Sequence, residues 1–125
     1  MGYSVNCNDE LIWGPSLRTG QYFLTNIEAL EKLVGKESGI VSYMADDIEI
    51  NYTKLKSFID EVLGEFEKSK NTPLLAMMSG IVELLLALEA NILGDFTRKG
   101  NGPTLALIER SKLVFGKSEG FLARA

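Results

Sequence analysis

The chain has 125 residues, 46% of them hydrophobic and 24% charged, which is ordinary for a soluble globular domain and enough to bury a core without disulfide or metal staples. A net charge of −4 and a pI near 4.9 argue against nucleic acid or an anionic membrane as partner, and for a basic one. The absence of histidine removes the commonest general base, metal ligand and pH switch, and a single cysteine, Cys7, excludes an internal disulfide.

With one thiol and no signal-peptide pattern at the start, the expected compartment is the reducing cytosol. In residues 2–13, Tyr3, Val5 and Cys7 alternate with Ser4 and Asn6. Asn8-Asp9-Glu10 is a polar turn, and Leu11-Ile12-Trp13 is a second apolar run closed by Gly14-Pro15. The pattern predicts a β-hairpin. Two strands are marginal in water, so the hairpin has to lie on helices, with Trp13 as its anchor.

From Ser16 the period becomes helical. Phe23/Leu24, Ile27, Leu30 and Leu33/Val34 fall on one side and Glu28, Glu31 and Lys32 on the other, predicting a helix over 16–34. Ser16 is its N-cap and Gly35 its stop, while Gly20 weakens the first turn and moves the expected regular start toward Gln21. Residues 36–50 have no clear period. Ile40 to Met44 reads as a short extended piece and Ala45 to Ile50 as an acidic stretch, in a connection long enough to have a role or form a small extra element.

Asn51 caps the next helix, 51–68, with Ile50 and Leu55 placed as a hydrophobic staple and Leu55, Phe58/Ile59, Val62/Leu63 and Phe66 as its apolar stripe. Thr72 is expected to cap a third helix over 72–96, with Pro73 at its first position. This helix is apolar on nearly every side and must be surrounded. A membrane span is not expected, because Glu83 and Glu89 interrupt it and its longest uncharged run is Asn71 to Val82. Pro103 opens a last helix, 103–115, carrying Leu105, Leu107/Ile108 and Val114/Phe115 and stopped by Gly116. The tail from Lys117 adds at most a short turn through Phe121 and Leu122. The expected fold is mainly α: one domain of four helices around a buried central helix, with a small N-terminal hairpin.

Gly116-Lys117-Ser118 looks like the end of a phosphate-binding loop, but Ser111 stands where that loop needs glycine, and a helix precedes it where a strand is required. Asn51-Tyr52-Thr53 fits the glycosylation pattern, and a cap explains Asn51 better. Asp46-Asp47-x-Glu49 is the densest carboxylate cluster and lacks the EF-hand spacing. Neither metal nor cofactor is expected. Glu83 and Glu89 are six apart, on different sides of a helix, so they cannot form a catalytic pair; Arg98 or Arg110 is the expected partner of one of them.

Charge is unevenly spread. Residues 1–95 hold fifteen acidic and seven basic side chains, and residues 96–125 hold two acidic and six basic. Residues 46–67 alone have seven acidic against two basic, including Glu61 and Glu65, a like-charged pair four apart that helix stability alone would not select. The alternative is that the basic C-terminal helix simply neutralises the acidic region.

At Leu11-Ile12-Trp13-Gly14-Pro15-Ser16, Ser38-Gly39-Ile40, Met44-Ala45-Asp46-Asp47 and Glu49-Ile50-Asn51, the first half of the chain resembles a family of small uncharacterised bacterial proteins, a domain of unknown function. That family's pattern starts with a Leu-Trp-Asn-Pro-Ser-like run and has a Met-x-Ala-Asp segment before an amphipathic helix. Gly14 stands where the pattern has asparagine. Such proteins are often found near secreted polymorphic toxins, so the resemblance implies toxin neutralisation and supplies no catalytic residue.

The expected function is therefore binding, not catalysis: a cytosolic immunity protein that blocks a cationic toxin domain, such as a nuclease. Asp46, Asp47, Glu49, Asp60, Glu61 and Glu65 are the expected charge contacts, with Tyr43 and Tyr52 as aromatic anchors. A second reading is a self-associating structural or regulatory protein, a homodimer whose central helix is completed by another copy. A third is a small-molecule binder or enzyme with a pocket near Glu83 or Tyr22.

Overall fold

The computed structural model describes residues 2–43 and 46–116. The expected hairpin is β1 (Ser4–Cys7) and β2 (Glu10–Trp13), followed by α1 (Leu17–Val34) and then by two further strands, β3 (Ile40–Tyr43) and β4 (Asp47–Ile50). Three helices complete the chain: α2 (Tyr52–Lys68), α3 (Thr72–Leu93) and α4 (Gly102–Gly116). The fold is mainly α, as the periodicities predict, with a larger sheet than expected.

β3 agrees with the short extended piece read from Ile40, whereas β4 corrects the reading of Ala45 to Ile50 as an acidic stretch without regular structure. The two strands build half of a four-stranded sheet of order β2-β1-β4-β3, in which β1 and β4 run parallel and the outer pairs are antiparallel. Side chains alternate across a strand, so Asp47-Ile48-Glu49-Ile50 buries both isoleucines and turns both carboxylates outward. Met44 and Ala45 lie outside the described residues. So does the tail from Lys117, with its Lys-Ser pair and the turn expected through Phe121 and Leu122.

Asn8 and Asp9 take φ of +52° and +65°, the left-handed pair that a tight two-residue hairpin turn requires. Val5 stands opposite Trp13 and Asn6 opposite Leu11, which leaves Ile12 as an extra residue in β2. The bulge lets Ile12 and Trp13 both point inward although they are consecutive. Asn91 of α3 donates from Nδ2 to the Ile12 carbonyl at 2.7 Å, tying this edge of the sheet to the helices. Trp13 anchors the hairpin as expected, its ring edge-on to Phe23 of α1 with centroids 5.3 Å apart.

α1 begins at Leu17, earlier than Gly20 suggested, with Ser16 Oγ accepting from the Thr19 amide at 3.2 Å. Gly20 is there for space: a Cβ at this position would lie 2.1 Å from Cδ2 of Tyr3, so the absent side chain lets the ring rest on the helix backbone.

The ends of α3 differ from expectation. Its cap is Asn71, whose Oδ1 accepts from the Leu74 amide at 3.2 Å, and Thr72 is the first helical residue. The helix stops at Leu93 and does not continue to Phe96, because Gly94 takes φ +86° and donates its N–H to the Ala90 carbonyl at 2.8 Å. Asn71→Ala is expected to cost about 1 kcal/mol and Thr72→Ala a few tenths. Thermal unfolding of the two variants checks this; equal losses would return the cap to Thr72.

α3 is buried on every side only along its second half, while its first half buries one face through Met78 and Val82. Leu85, Leu86, Ala87, Leu88, Glu89 and Ala90 are all buried, whereas Met77 in the first half is 75% exposed. By length and composition α3 would also suit a membrane span. Here its buried residues share one apolar cluster with α1, α2, α4 and the inner face of the sheet.

Candidate functional site

The sheet has one face against the helices and one open. Register places Asn6, Glu49 and Val41 in one cross-strand row and Ser4, Asp47 and Tyr43 in the next, with Leu11 beside Asn6 at the β2 edge. On this open face Leu11, Val41 and Tyr43 are each half or more exposed, and Asp47 is also exposed. Asp46 sits in the turn immediately before β4. The structure thus brings together four of the expected site residues: Tyr43, Asp46, Asp47 and Glu49.

The face is electrostatically one-sided. No strand contains a basic residue, and none of Asp46, Asp47 and Glu49 has an ion pair among the described residues. Aspartate and glutamate are poor strand formers, so two of them in a four-residue central strand are not a choice for stability. A groove beside β3 adds Asp9, Glu31 and Glu37, with Lys54 as the one cation among its described lining residues. Lys54 is already engaged by Glu37 at 3.3 Å. Glu31 is occupied internally, accepting from the Ser38 amide at 2.8 Å and the Ser38 hydroxyl at 2.7 Å.

The remaining expected residues lie elsewhere. Asp60, Glu61 and Glu65 are on α2, roughly 14 to 21 Å along the helix from its sheet end. Asp60 is engaged by Arg98. Tyr52 is half-buried and donates its hydroxyl to Glu89 at 3.1 Å, so it is not the open anchor that the sequence suggested.

These contacts belong to a second polar cluster, between α2, α3 and the α3–α4 connection. Arg98 donates to Glu89 through Nε at 2.6 Å and Nη2 at 3.0 Å, and to the Lys56 carbonyl at 3.1 Å. Glu83 pairs with Arg110 at 2.7 Å, so both candidate arginines are used, one for each glutamate. Arg98 and Arg110 therefore neutralise α3 and part of α2, and among the described residues of the basic C-terminal region none pairs with a carboxylate of β4.

A family model described as a family of unknown function, DUF6086, matches residues 1–113. The chain belongs to DUF6086. The match runs well beyond the first half, where the sequence resemblance was confined, so the DUF6086 pattern includes the open sheet, the Arg98 cluster and most of α4. Comparisons with curated proteins and with solved structures give no match.

Burial, with the Glu49 and Glu10 carboxylates adding to it, raises the thiol of Cys7 above its ordinary range in this DUF6086 chain. Burial and then Glu89 likewise raise the Tyr52 phenol, with Arg98 opposing. Both groups hold their protons more tightly folded than unfolded, so their stabilising contribution is complete below the unfolded values. It is lost as pH rises through the folded ones. Stability is expected to fall above about pH 9 to 10, less steeply in Tyr52→Phe. Urea unfolding between pH 7 and 11 under reducing conditions measures it, and a parallel decline in the variant would remove Tyr52 as a cause.

Proposed function

We propose that this DUF6086 protein is a non-enzymatic binding protein, an immunity protein that neutralises a cationic toxin domain with its acidic sheet face. The observation that carries the proposal is the β4 row: Asp47 and Glu49, without an ion pair among the described residues and facing outward, flanked by exposed Val41 and Tyr43. Carboxylates in that setting speed encounter with a basic surface and occupy clefts built for phosphate, while a tyrosine and two aliphatic side chains supply desolvated contact. The sequence resemblance to small bacterial proteins found near polymorphic toxins points the same way. On this reading the protein works in the cytosol, where its one thiol stays reduced.

The double reversal Asp47→Lys/Glu49→Lys is expected to weaken binding at least tenfold or so and to abolish its salt dependence, mostly by slowing association. The measurement is surface-plasmon kinetics against the C-terminal toxin domain of a large secreted protein encoded beside this gene. Unchanged kinetics would sink the proposal. The double reversal Glu61→Lys/Glu65→Lys, on α2, separates the sheet face from the helix as the charged contact.

A self-associating role is the second reading, favoured by Met77 at 75% and Leu113 at 69% exposure on α3 and α4. Light scattering over a hundredfold or so range of concentration tests it, and a constant monomer mass removes it.

A further inference from the structure

Resting on the acidic-face reading, we propose that the open edge of β3 takes an extended basic segment of the partner as a fifth strand. Strand order leaves two edges, β2 and β3. β2 is tied to α3 through Asn91, and its Trp13 is buried. β3 is different: Val41, Ser42 and Tyr43 are all exposed.

The register identifies which backbone groups are available. Asn51 donates its N–H to the Gly39 carbonyl at 2.8 Å, which makes Gly39 and Asn51 a hydrogen-bonded pair. Such pairs alternate along an antiparallel ladder, so Val41 and Tyr43 turn their N–H and C=O toward β4, while Ile40 and Ser42 turn theirs away. The Ile40 amide agrees, donating to Ser38 Oγ at 3.1 Å and not to β4. The Ile40 carbonyl and both backbone groups of Ser42 then face outward, with no partner among the described residues. That is the template on which strand addition works.

Charge selects the occupant. An added strand would lie roughly 5 Å from β3 and 10 Å from β4, within the combined reach of an arginine or lysine and the Asp47 and Glu49 side chains. A second copy pairing β3 to β3 would set two unneutralised acidic faces side by side, which opposes self-pairing. The occupant is therefore a basic, extended protein segment with alternating side chains, the inward ones apolar.

The test uses the full chain and a fluorescein-labelled peptide of alternating lysine and valine, seven residues long, in low salt. Two further peptides carry N-methyl groups on the odd or the even residues, leaving charge and composition almost unchanged. Anisotropy is expected to show binding of the parent and of one methylated peptide, with the other weakened roughly tenfold by its lost backbone bonds. Ser42→Pro, which removes an outward N–H and no bond to β4, is expected to weaken the parent peptide similarly. The wild-type Ser42 amide should gain about tenfold protection from hydrogen exchange on binding. Both methylated peptides matching the parent would overturn strand addition. If Asp47→Lys/Glu49→Lys nevertheless lost binding, the acidic-face reading would survive alone. Insensitivity to both changes would remove both ideas. Absence of binding below about 1 mM, or a dimer abolished by Ser42→Pro, would also overturn a basic fifth strand.

Discussion

Arg98→Ala is expected to cost about 3 to 5 kcal/mol of folding stability, the loss typical of a buried ion pair deprived of one partner. Glu89 is 4% exposed on the buried half of α3, and Arg98 supplies two of its hydrogen bonds. Burial depresses the Arg98 guanidinium, and the bonds it donates to Glu89 and Asp60 more than offset this, so it stays charged. Without it, the Tyr52 hydroxyl is the one donor left on Glu89 among the described residues, and a carboxylate remains in an apolar core with a neutral partner. Arg98 also bonds the Lys56 carbonyl and Asp60, so its removal frees the α3–α4 connection from α2. The double variant Arg98→Met/Glu89→Leu distinguishes charge from packing. It is expected to unfold within about 1 kcal/mol of the wild type, because both desolvation penalties disappear together. Urea midpoints at pH 7 measure both variants. A double variant as unstable as Arg98→Ala would show that the cluster acts through shape and connectivity instead of charge.

The sequence made the helices legible because each announces itself locally. Ser16, Asn51 and Gly35 cap as their chemistry suggests, and the stripe of α2 buries every residue assigned to it. Errors arose where two local signals competed. Asn71 and Thr72 are both good caps, and the chain uses the first, leaving Pro73 in the first turn, where its missing N–H still costs nothing. Gly94 was an available stop, masked by Phe96 two residues later. β3 reads as an extended piece, but β4 was obscured for a different reason. Asp47-Ile48-Glu49-Ile50 does alternate, yet its acidity resembles a loop, and its pairing partner β1 is over forty residues away. The same distance in sequence hid the candidate site. Tyr43, Asp47 and Glu49 were named individually, but only cross-strand register shows that they share a face with Leu11 and Val41. Asp60 and Tyr52 looked equally available in sequence, and nothing local reveals that Arg98 and Glu89 engage them.

Gly39→Ala is expected to destabilise by about 2 to 5 kcal/mol, far more than an exposed glycine replacement, and to disturb the open edge of β3. Two costs coincide at this position. Gly39 has φ +79°, which disfavours any L side chain by about 1 to 2 kcal/mol. A Cβ there would also lie 2.7 Å from the Asn51 carbonyl oxygen, 2.7 Å from Lys54 Cβ and 3.1 Å from the Leu55 amide nitrogen. Two of these are backbone atoms in the first turn of α2, so they cannot swing aside as a flexible side chain would. The start of β3 must then move away from the α2 cap, straining the Asn51 to Gly39 hydrogen bond that sets the register of the sheet. Gly35→Ala is the matched control: its φ is +69°, and a Cβ there meets nothing within 4 Å. It should therefore lose only the conformational part, about 1 to 2 kcal/mol. The difference between the two variants in urea unfolding isolates the contact with α2. Equal losses would mean that β3 is free to shift against the helix, and a strand free to shift would make a poor template for a partner.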